Sequence, residues 1–375
     1  MRPVPKPVSL NHNHLLHRFW KSSAQICRAN LLRVAGLGGF LLAVVLLQLS
    51  LQVLLNLWNR YFFDALERHD VQTVWTQAQL FVPLAAASIL LAAASVWGRM
   101  TTQRNWRRML THQVVERWLT KNRFAEIDKY VKGTENPEYR IAVDIRVATD
   151  APVDLALAFL SSVLTAITFF GVLWEVGGSL DIVLFGRTLT IPGHLVIGVI
   201  VYSGTMSALM VFVGHHLTGV IEQMNQSEAE FRAAVDAFRA EKQPGDAADG
   251  DAARNLWLRL QAALLWWREL CWQLVRTTLV SYGNLLLAPV VAWFLCVPKY
   301  LNGTMTLGQL TQTAAAFVTV QGAFNWLVDN YGRMADWRAS AHRVATVMIA
   351  LDEAEARESA SRPRNKNHIR NKPNH

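Results

Sequence analysis

Residues 34–58 read Val-Ala-Gly-Leu-Gly-Gly-Phe-Leu-Leu-Ala-Val-Val-Leu-Leu-Gln-Leu-Ser-Leu-Gln-Val-Leu-Leu-Asn-Leu-Trp, an unbroken run without a single charge. Crossing ~30 Å of hydrocarbon takes roughly 20 helical residues, so this run is long enough to span a bilayer. The preceding segment, 1–30, is polar and basic, and the run is longer than the apolar core of a cleavable signal. It therefore reads as a retained signal-anchor. Five more apolar stretches follow at about 80–97, 155–174, 191–213, 279–297 and 307–328. The last is the least apolar and carries Gln309, Gln312, Thr313, Thr319, Gln321 and Asn325. The expectation is an all-α membrane protein with six transmembrane helices.

Composition points the same way. The chain has 375 residues, of which 52% are hydrophobic and only 17% charged, against about 25% charged in soluble proteins. The charges sit in clusters between long uncharged stretches. Among 14 tryptophans, Trp58, Trp97, Trp174 and Trp326 fall at or near the ends of apolar stretches, where an amphipathic ring suits the headgroup level. The net charge of +9 would raise nucleic acid as a partner in a soluble protein. Here its distribution explains it. Segments 1–30, 98–154, 214–273 and 329–375 together hold 31 Lys and Arg, whereas 59–77, 175–190 and 298–306 hold 4. The positive-inside rule places both termini in the cytoplasm, in a bacterial inner membrane, with the lipid bilayer as partner and no nucleic acid. The three cysteines, Cys27, Cys271 and Cys296, have neither metal-ligand spacing nor the numbers for a disulfide framework.

The two long cytoplasmic loops are patterned like helices, so the spans should continue as long cytoplasmic extensions. Asn136-Pro137-Glu138 reads as a helix start, with Asn as N-cap, Pro at the first helical position and an acid in the first turn. The third span would rise from Pro137 as one rod of nearly forty residues. A further interfacial helix is possible around 15–26. Pro83 and Pro289 should bend their helices, and Pro298 reads as an exit stop. Residues 243–252 form a flexible acidic break. The charged tail, 353–375, is expected to be disordered, and its basic end, 362–375, is able to touch anionic headgroups.

Polar residues inside spans must face protein or a water-filled cavity. Gln48, Gln52, Asn56 and Asn59 recur at helical spacing and form one stripe on the first span. Interhelical hydrogen bonding and cavity lining both account for it. Ser161, Thr165 and Thr168 share a face of the third span, which their own backbone can satisfy. In the sixth span the polar residues, Gln309, Gln312 and Thr313 among them, fall on two sides. That fits a helix between a cavity and other helices. Asp64 and Glu67 lie beside Arg60 in the first outer loop, and Glu175 lies at the outer mouth of the third span. A carboxylate at such a boundary serves as a proton or substrate site, a solvated cap or a salt-bridge partner.

Chemistry-bearing motifs are absent from these 375 residues. There is no G-x-x-x-x-G-K-[ST] phosphate loop and no catalytic constellation, so the chain does not read as an enzyme and no cofactor is expected within it. His12, His14 and His17 form one polar cluster without a fold around it, and no metal site is inferred.

Four stretches resemble one family. They are Arg60-Tyr-Phe-Phe-Asp-Ala-Leu-Glu67, Asn136-Pro-Glu-Tyr-Arg-Ile-Ala-Val-Asp-Ile-Arg146, Gly303-Thr-Met-Thr-Leu-Gly-Gln-Leu310, and Asn325-Trp-Leu-Val-Asp-Asn-Tyr331 with Ala335-Asp-Trp-Arg-Ala-Ser-Ala-His-Arg-Val344. They resemble the membrane domain of ABC half-transporters of the subfamily-D-like branch, which includes bacterial relatives of SbmA and BacA. The resemblance implies an ABC exporter-type transmembrane domain over 31–352, working as a homodimer with helices crossing between subunits. It also implies that Asn136, Pro137, Arg140 and Asp144 belong to a cytoplasmic coupling region. Fused relatives continue into an ATPase domain after the equivalent of residue 352. Their Arg-x-Asn-x-Glu-x-Ile-Ala stretch is replaced here by Phe238-Arg-Ala-Glu-Lys-Gln-Pro-Gly245. The expected function is an inner-membrane transporter permease for a peptide-like or cofactor-like substrate, using ATP only through a separate ATPase subunit. The alternatives are an SbmA/BacA-like proton-driven peptide importer and a non-transporting remnant or membrane scaffold.

Overall fold

A computed structural model of the chain describes residues 18–21, 24, 31–125, 136–184, 187–241 and 250–361. These residues are almost entirely helical. Helix α1 spans Leu31–Glu67 and α2 spans Val71–Leu119, closing in a tight turn, Thr120–Ala125. Helix α3 covers Pro137–Gly177, with a widened π turn at Arg140–Asp144. Strands β1 (Ser179–Leu184) and β2 (Arg187–Pro192) lead into α4 (His194–Gly214) and α5 (Leu217–Glu241). Helices α6 (Gly250–Leu301) and α7 (Leu307–Ser361) complete the described chain.

Hydrocarbon dictates this choice of structure. With no water to bond the backbone, every N–H and C=O must be satisfied within the segment, as a helix does. Five helical stretches among the described residues are long and apolar enough to cross a membrane: α1, α2, α3, α4 with most of α5, and α6. Their large apolar side chains point outward. Leu90 is 70% exposed, Phe212 73% and Phe294 72%. Such surfaces are an aggregation liability in water and are what a helix shows to lipid.

Helix α7 is not among the five, and its burial explains why. Its first half encloses Gln312, Thr313, Ala316, Phe317 and Val320, each at most 1% exposed. A helix enclosed by protein has no need of an apolar surface all round.

The chain divides into two compact units. The first takes the described parts of 1–52, 83–161 and 330–375. Its core is built by Phe19, Leu110, Val114, Ile145, Ala148, Val344, Met348 and Leu351, with Ala341, Ala345 and Ala350 letting α7 approach closely. This core lies in the charged part of the sequence, where the helical extensions were expected. Phe19 is fully buried within it, so the helical residues at 18–21 pack on the unit.

The far end of α7 is held by ions. Arg117 meets Asp352 at 2.6 Å and Glu355 at 2.8 Å. Arg123 meets Glu355 and Glu358, both at 2.8 Å, Lys121 meets Glu358 at 2.5 Å, and Arg18 meets Asp352 at 2.5 Å. The expectation of a disordered tail from 353 is thus corrected as far as Ser361, where α7 ends. Three acids spaced at one helical turn face three basic residues of α2 and its closing turn. Residues 362–375 lie outside the described ones. Hydrogen bonds from Arg123 and Lys121 hold the Glu358 carboxyl down at about 2, against an ordinary 4.5, and the Arg117 hydrogen bond lowers Glu355 as well. A depressed carboxyl stabilises the fold fully above its ordinary value and loses that contribution as pH falls through its folded value. Amide protection over 353–361, corrected for intrinsic exchange, is therefore expected to be full at pH ~6 and to fall from pH about 4.5 towards about 2. It should also weaken with salt, because these pairs are partly solvated.

The second unit takes 53–82 and 162–329. In it α6 runs against α4 and α5. Arg259 pairs with Glu230 at 2.6 Å, the Trp267 indole donates to Glu228 at 3.0 Å, and the Gln273 amide donates to the Val213 carbonyl. Lys299 Nζ donates to the Gly177 carbonyl at 2.6 Å, a cation at the negative end of α3.

The structure adds to or departs from these expectations at four places. The loop after α3 is an antiparallel hairpin, in register from Ser179 opposite Pro192 to Leu184 opposite Arg187. Its β-branched residues, Ile182, Val183, Thr188, Thr190 and Ile191, favour strand. At its foot Gly193 stands at φ 62°, where an added Cβ would strike Trp174. Asn136 is left-handed (φ 56°) and its side chain makes no cap bond, although Pro137 does open the helix. The helical path after α4 turns at His215–His216 before α5. Pro298 lies inside α6, which continues to Leu301. The acidic break at 243–252 lies largely outside the described residues, with α6 already helical from Gly250.

Candidate functional site

Two motifs that stand apart in the sequence meet at the N-terminus of α7. The first orphan N–H groups of a helix need partners from outside its own ladder. Here Thr306 and Gln309 form a reciprocal capping box: the Thr306 hydroxyl accepts from Gln309 N–H at 3.2 Å, and the Gln309 side chain accepts from Thr306 N–H at 3.0 Å. The next two N–H groups go to α1. Glu67 accepts from Leu307 N–H and Asp64 from Gly308 N–H, both at 2.9 Å. Two carboxylates at a helix N-terminus also suit its dipole. Glu67 further accepts from Tyr300 OH at 3.2 Å, and Arg60 lies 3.8 Å from Asp64. A Cβ on Gly308 would collide with the Arg60 carbonyl and the Asp64 carboxylate, so only glycine permits the approach. Asp64 and Glu67, candidates for a proton or substrate site, are thus occupied in joining α1 to α7.

A second clasp joins the other two motifs within the first unit. Arg343 donates twice to Asp144, at 2.8 and 2.7 Å, and once to Ser340 at 3.0 Å. Asp144 is 1% exposed and lies in the π turn of α3, which aims it at α7. Of the expected coupling residues, Pro137 opens α3, Arg140 begins its π turn and Asp144 is in this pair.

The expected cavity-lining residues are mostly spent on packing. Gln48 donates to the Leu91 carbonyl at 3.3 Å, and Asn56, 6% exposed, donates to the Gln312 carbonyl at 3.0 Å. Thr313 donates to its own helix at Gln309 O, 2.6 Å. Gln309 is in the capping box, Gln52 is exposed, and Glu175 is exposed at the end of α3. Two of the four stripe residues on α1, Gln48 and Asn56, thus bond to other helices. Some capacity remains: Asn56 Oδ1, Gln312 Oε1, Gln321 Nε2 and Ser203 Oγ are buried without a partner among the described residues.

The second unit also contains a polar cavity of about 210 Å³ lined by Met206, Met210, Ser281, Asn284, Asn325 and Asp329, with Val280. It lies among α4, α6 and α7. The Tyr202 hydroxyl donates to Asn284 Oδ1 at 2.9 Å and fixes that amide. The lining offers two amides, a hydroxyl and a carboxylate among thioethers. Both hydrogen-bond donors and acceptors thus converge in an apolar surround. Sequence reading missed Ser281, Asn284 and Asp329 as a group. The available signal was their spacing, Ser281 with Asn284 and Asn325 with Asp329, each pair on one helical face. Among the described residues no group of His, Cys, Asp and Glu is placed to hold a metal.

The model of the SbmA/BacA-like family matches residues 32–348. The chain belongs to this family. As an SbmA/BacA-like protein it is similar to the inner membrane ABC transporter ATP-binding protein YddA of Escherichia coli, 28% identical over 81% of this chain and 55% of that protein. It is similar also to an ABC transporter ATP-binding protein of Haemophilus influenzae, 22% identical over 84% of this chain and 54% of that one. A plant relative is the chloroplastic ABC transporter D family member 2 of Arabidopsis thaliana, 21% identical over 83% of this chain and 42% of that one. The chain spans about half the length of these curated relatives. All four motif stretches, both clasps and the polar cavity fall inside the SbmA/BacA-like match.

Proposed function

We propose that the chain is the membrane-spanning part of an inner-membrane transporter whose substrate is peptide-like. The observation that carries this reading is the polar cavity among α4, α6 and α7, helices that otherwise turn apolar faces outward. Amides and a hydroxyl held among thioethers suit the alternating donors and acceptors of a peptide backbone. In this reading the five apolar helices and the first half of α7 make six spans, with both termini cytoplasmic by the excess of Lys and Arg on that side. The chain works as a homodimer. Leu258, Leu264, Leu265 and Trp272 of α6, each more than half exposed, lie in a charged stretch on the cytoplasmic side and offer an apolar face to a second copy. Energy comes from ATP through an ATP-binding domain, as the names of the relatives support, and the segment from Asn136 to Asp144 couples to it.

A second reading has the cavity driven by protons, favoured by Asp329 in the cavity wall, since an ionisable group at membrane depth is a default functional site. Uptake of a labelled peptide library into vesicles holding the purified chain separates the two. Uptake that requires the ATP-binding partner and survives a protonophore supports the ATP-driven reading. Uptake without ATP that stops with the protonophore supports the proton-driven one. No uptake under either condition, in vesicles that hold folded dimer, sinks the proposal.

A further inference from the structure

Several basic side chains of the first unit have an acidic partner, Arg99, Arg117, Arg123, Arg333 and Arg343 among them. Arg33 and Arg108 have none among the described residues. Both line one cavity of about 400 Å³. Its other walls are almost wholly apolar and include Trp20, Trp106, Leu37 and Val153, while Gly38 leaves one side open. Arg33 is the last charge before the uncharged run of α1, so this cavity lies where hydrocarbon meets headgroups. Trp20 and Trp106, with ring centroids 6.3 Å apart, suit the same level.

We propose that this groove is a binding site for an anionic phospholipid of the bilayer. The headgroup phosphate is held by Arg33 and Arg108, and an acyl chain lies along Leu37 and Val153 beside Gly38. Charge and shape both argue for an amphiphile. Guanidiniums are the preferred partners of a phosphate, two arginines line this one cavity, and basic pockets between spans on the cytoplasmic side take such headgroups. A soluble anion has no use for the apolar wall, and a lipid of zero net charge brings a cation of its own to the arginines. This goes beyond transport and holds whichever energy source drives it.

The test uses the purified full chain in detergent with three probes: dioleoylphosphatidylglycerol, dioleoylphosphatidylcholine with the same chains, and glycerol phosphate alone. Lipid retained is read by native mass spectrometry and the melting midpoint by thermal shift. Phosphatidylglycerol should be retained about tenfold or more over phosphatidylcholine, since each basic residue near the surface contributes about fivefold in affinity for an anionic lipid. Arg33→Gln with Arg108→Gln should erase that preference, bringing retention of phosphatidylglycerol to the level of phosphatidylcholine. Arg104→Gln, an exposed arginine of α2 outside the groove, should leave the preference intact. Gly38→Leu, whose new side chain enters open space rather than protein, should lower retention of both lipids. Equal retention of the two lipids, a preference that survives the double substitution, or an equal stabilisation by glycerol phosphate alone would each overturn the proposal.

Discussion

Replacing Arg343 by alanine is expected to destabilise the chain by about 2–3 kcal/mol and to lower its melting midpoint in detergent by roughly 3–4 °C. The reason lies on the other side of the pair. Asp144 is 1% exposed and receives two hydrogen bonds from Arg343. Without the guanidinium a carboxylate is left buried and uncompensated, and breaking such a pair costs about 3–5 kcal/mol when both partners are enclosed. The Arg343 side chain is 45% exposed, so water can enter where it stood, and the lower part of that range applies. Arg343→Lys should recover only part of the loss, because an ammonium cannot reproduce the two parallel bonds. The pair Asp144→Leu with Arg343→Met should be far milder than the sum of its single changes, since no charge is then stranded. Additive losses in that cycle would show that the two side chains do not act as a pair.

The Asp144–Arg343 pair also shows where sequence reading stops. The two residues are 199 positions apart, and nothing in either stretch names the other. Each was visible as part of a motif, and only the path of α3 and α7 brings them together. The spans, by contrast, were legible because hydrocarbon imposes a length and a composition on every residue of a run, as in 34–58. The first half of α7 was hard to read for the opposite reason. Buried by protein, its Gln312 and Thr313 follow no lipid rule: the Thr313 hydroxyl bonds within α7 and the Gln312 backbone carbonyl takes Asn56 of α1, while Gln312 Oε1 is without a partner among the described residues. The hairpin after α3 was missed because its β-branched residues lie between two spans, where a short loop satisfied the length argument. Asp64 and Glu67 had the right residue type and place for a proton site. Their bonding to Leu307 and Gly308, some 240 residues away, gives them a structural part that neither motif announces. One local signal was available: Thr306 followed three residues later by Gln309 is the pattern of a capping box. It marks a helix start whose next two N–H groups still need acceptors.

Gly308→Ala should be the most damaging single-methyl change at that helix start. The added Cβ meets a backbone carbonyl, Arg60 O, as well as the Asp64 carboxylate. A side-chain tip could swing away, but the carbonyl belongs to the α1 ladder and cannot. Either the two helices separate or α7 starts one turn late. Overpacking of this kind costs about 1–3 kcal/mol, and losing a hydrogen bond to a charged acceptor adds about 1.5–3. A loss of about 3 kcal/mol is therefore expected in detergent melting. Asp64→Ala removes the bond without the clash and should cost about 1.5–2 kcal/mol. Asp64→Asn, which keeps an acceptor and gives up only the charge at the helix N-terminus, should cost about 1 or less. The double change Gly308→Ala with Asp64→Ala then discriminates. If the clash is chiefly with the Arg60 carbonyl, removing the carboxylate gives little relief, and the double variant stays close to Gly308→Ala alone. If it recovers to the level of Asp64→Ala, the carboxylate was the obstacle and α1 yields more than its backbone geometry implies. Transport measured on the same variants carries the argument to function, because Asn325 and Asp329 lie further along α7 in the cavity wall. Loss of uptake in Gly308→Ala that exceeds its loss of stability would tie the seating of the helix start to the site.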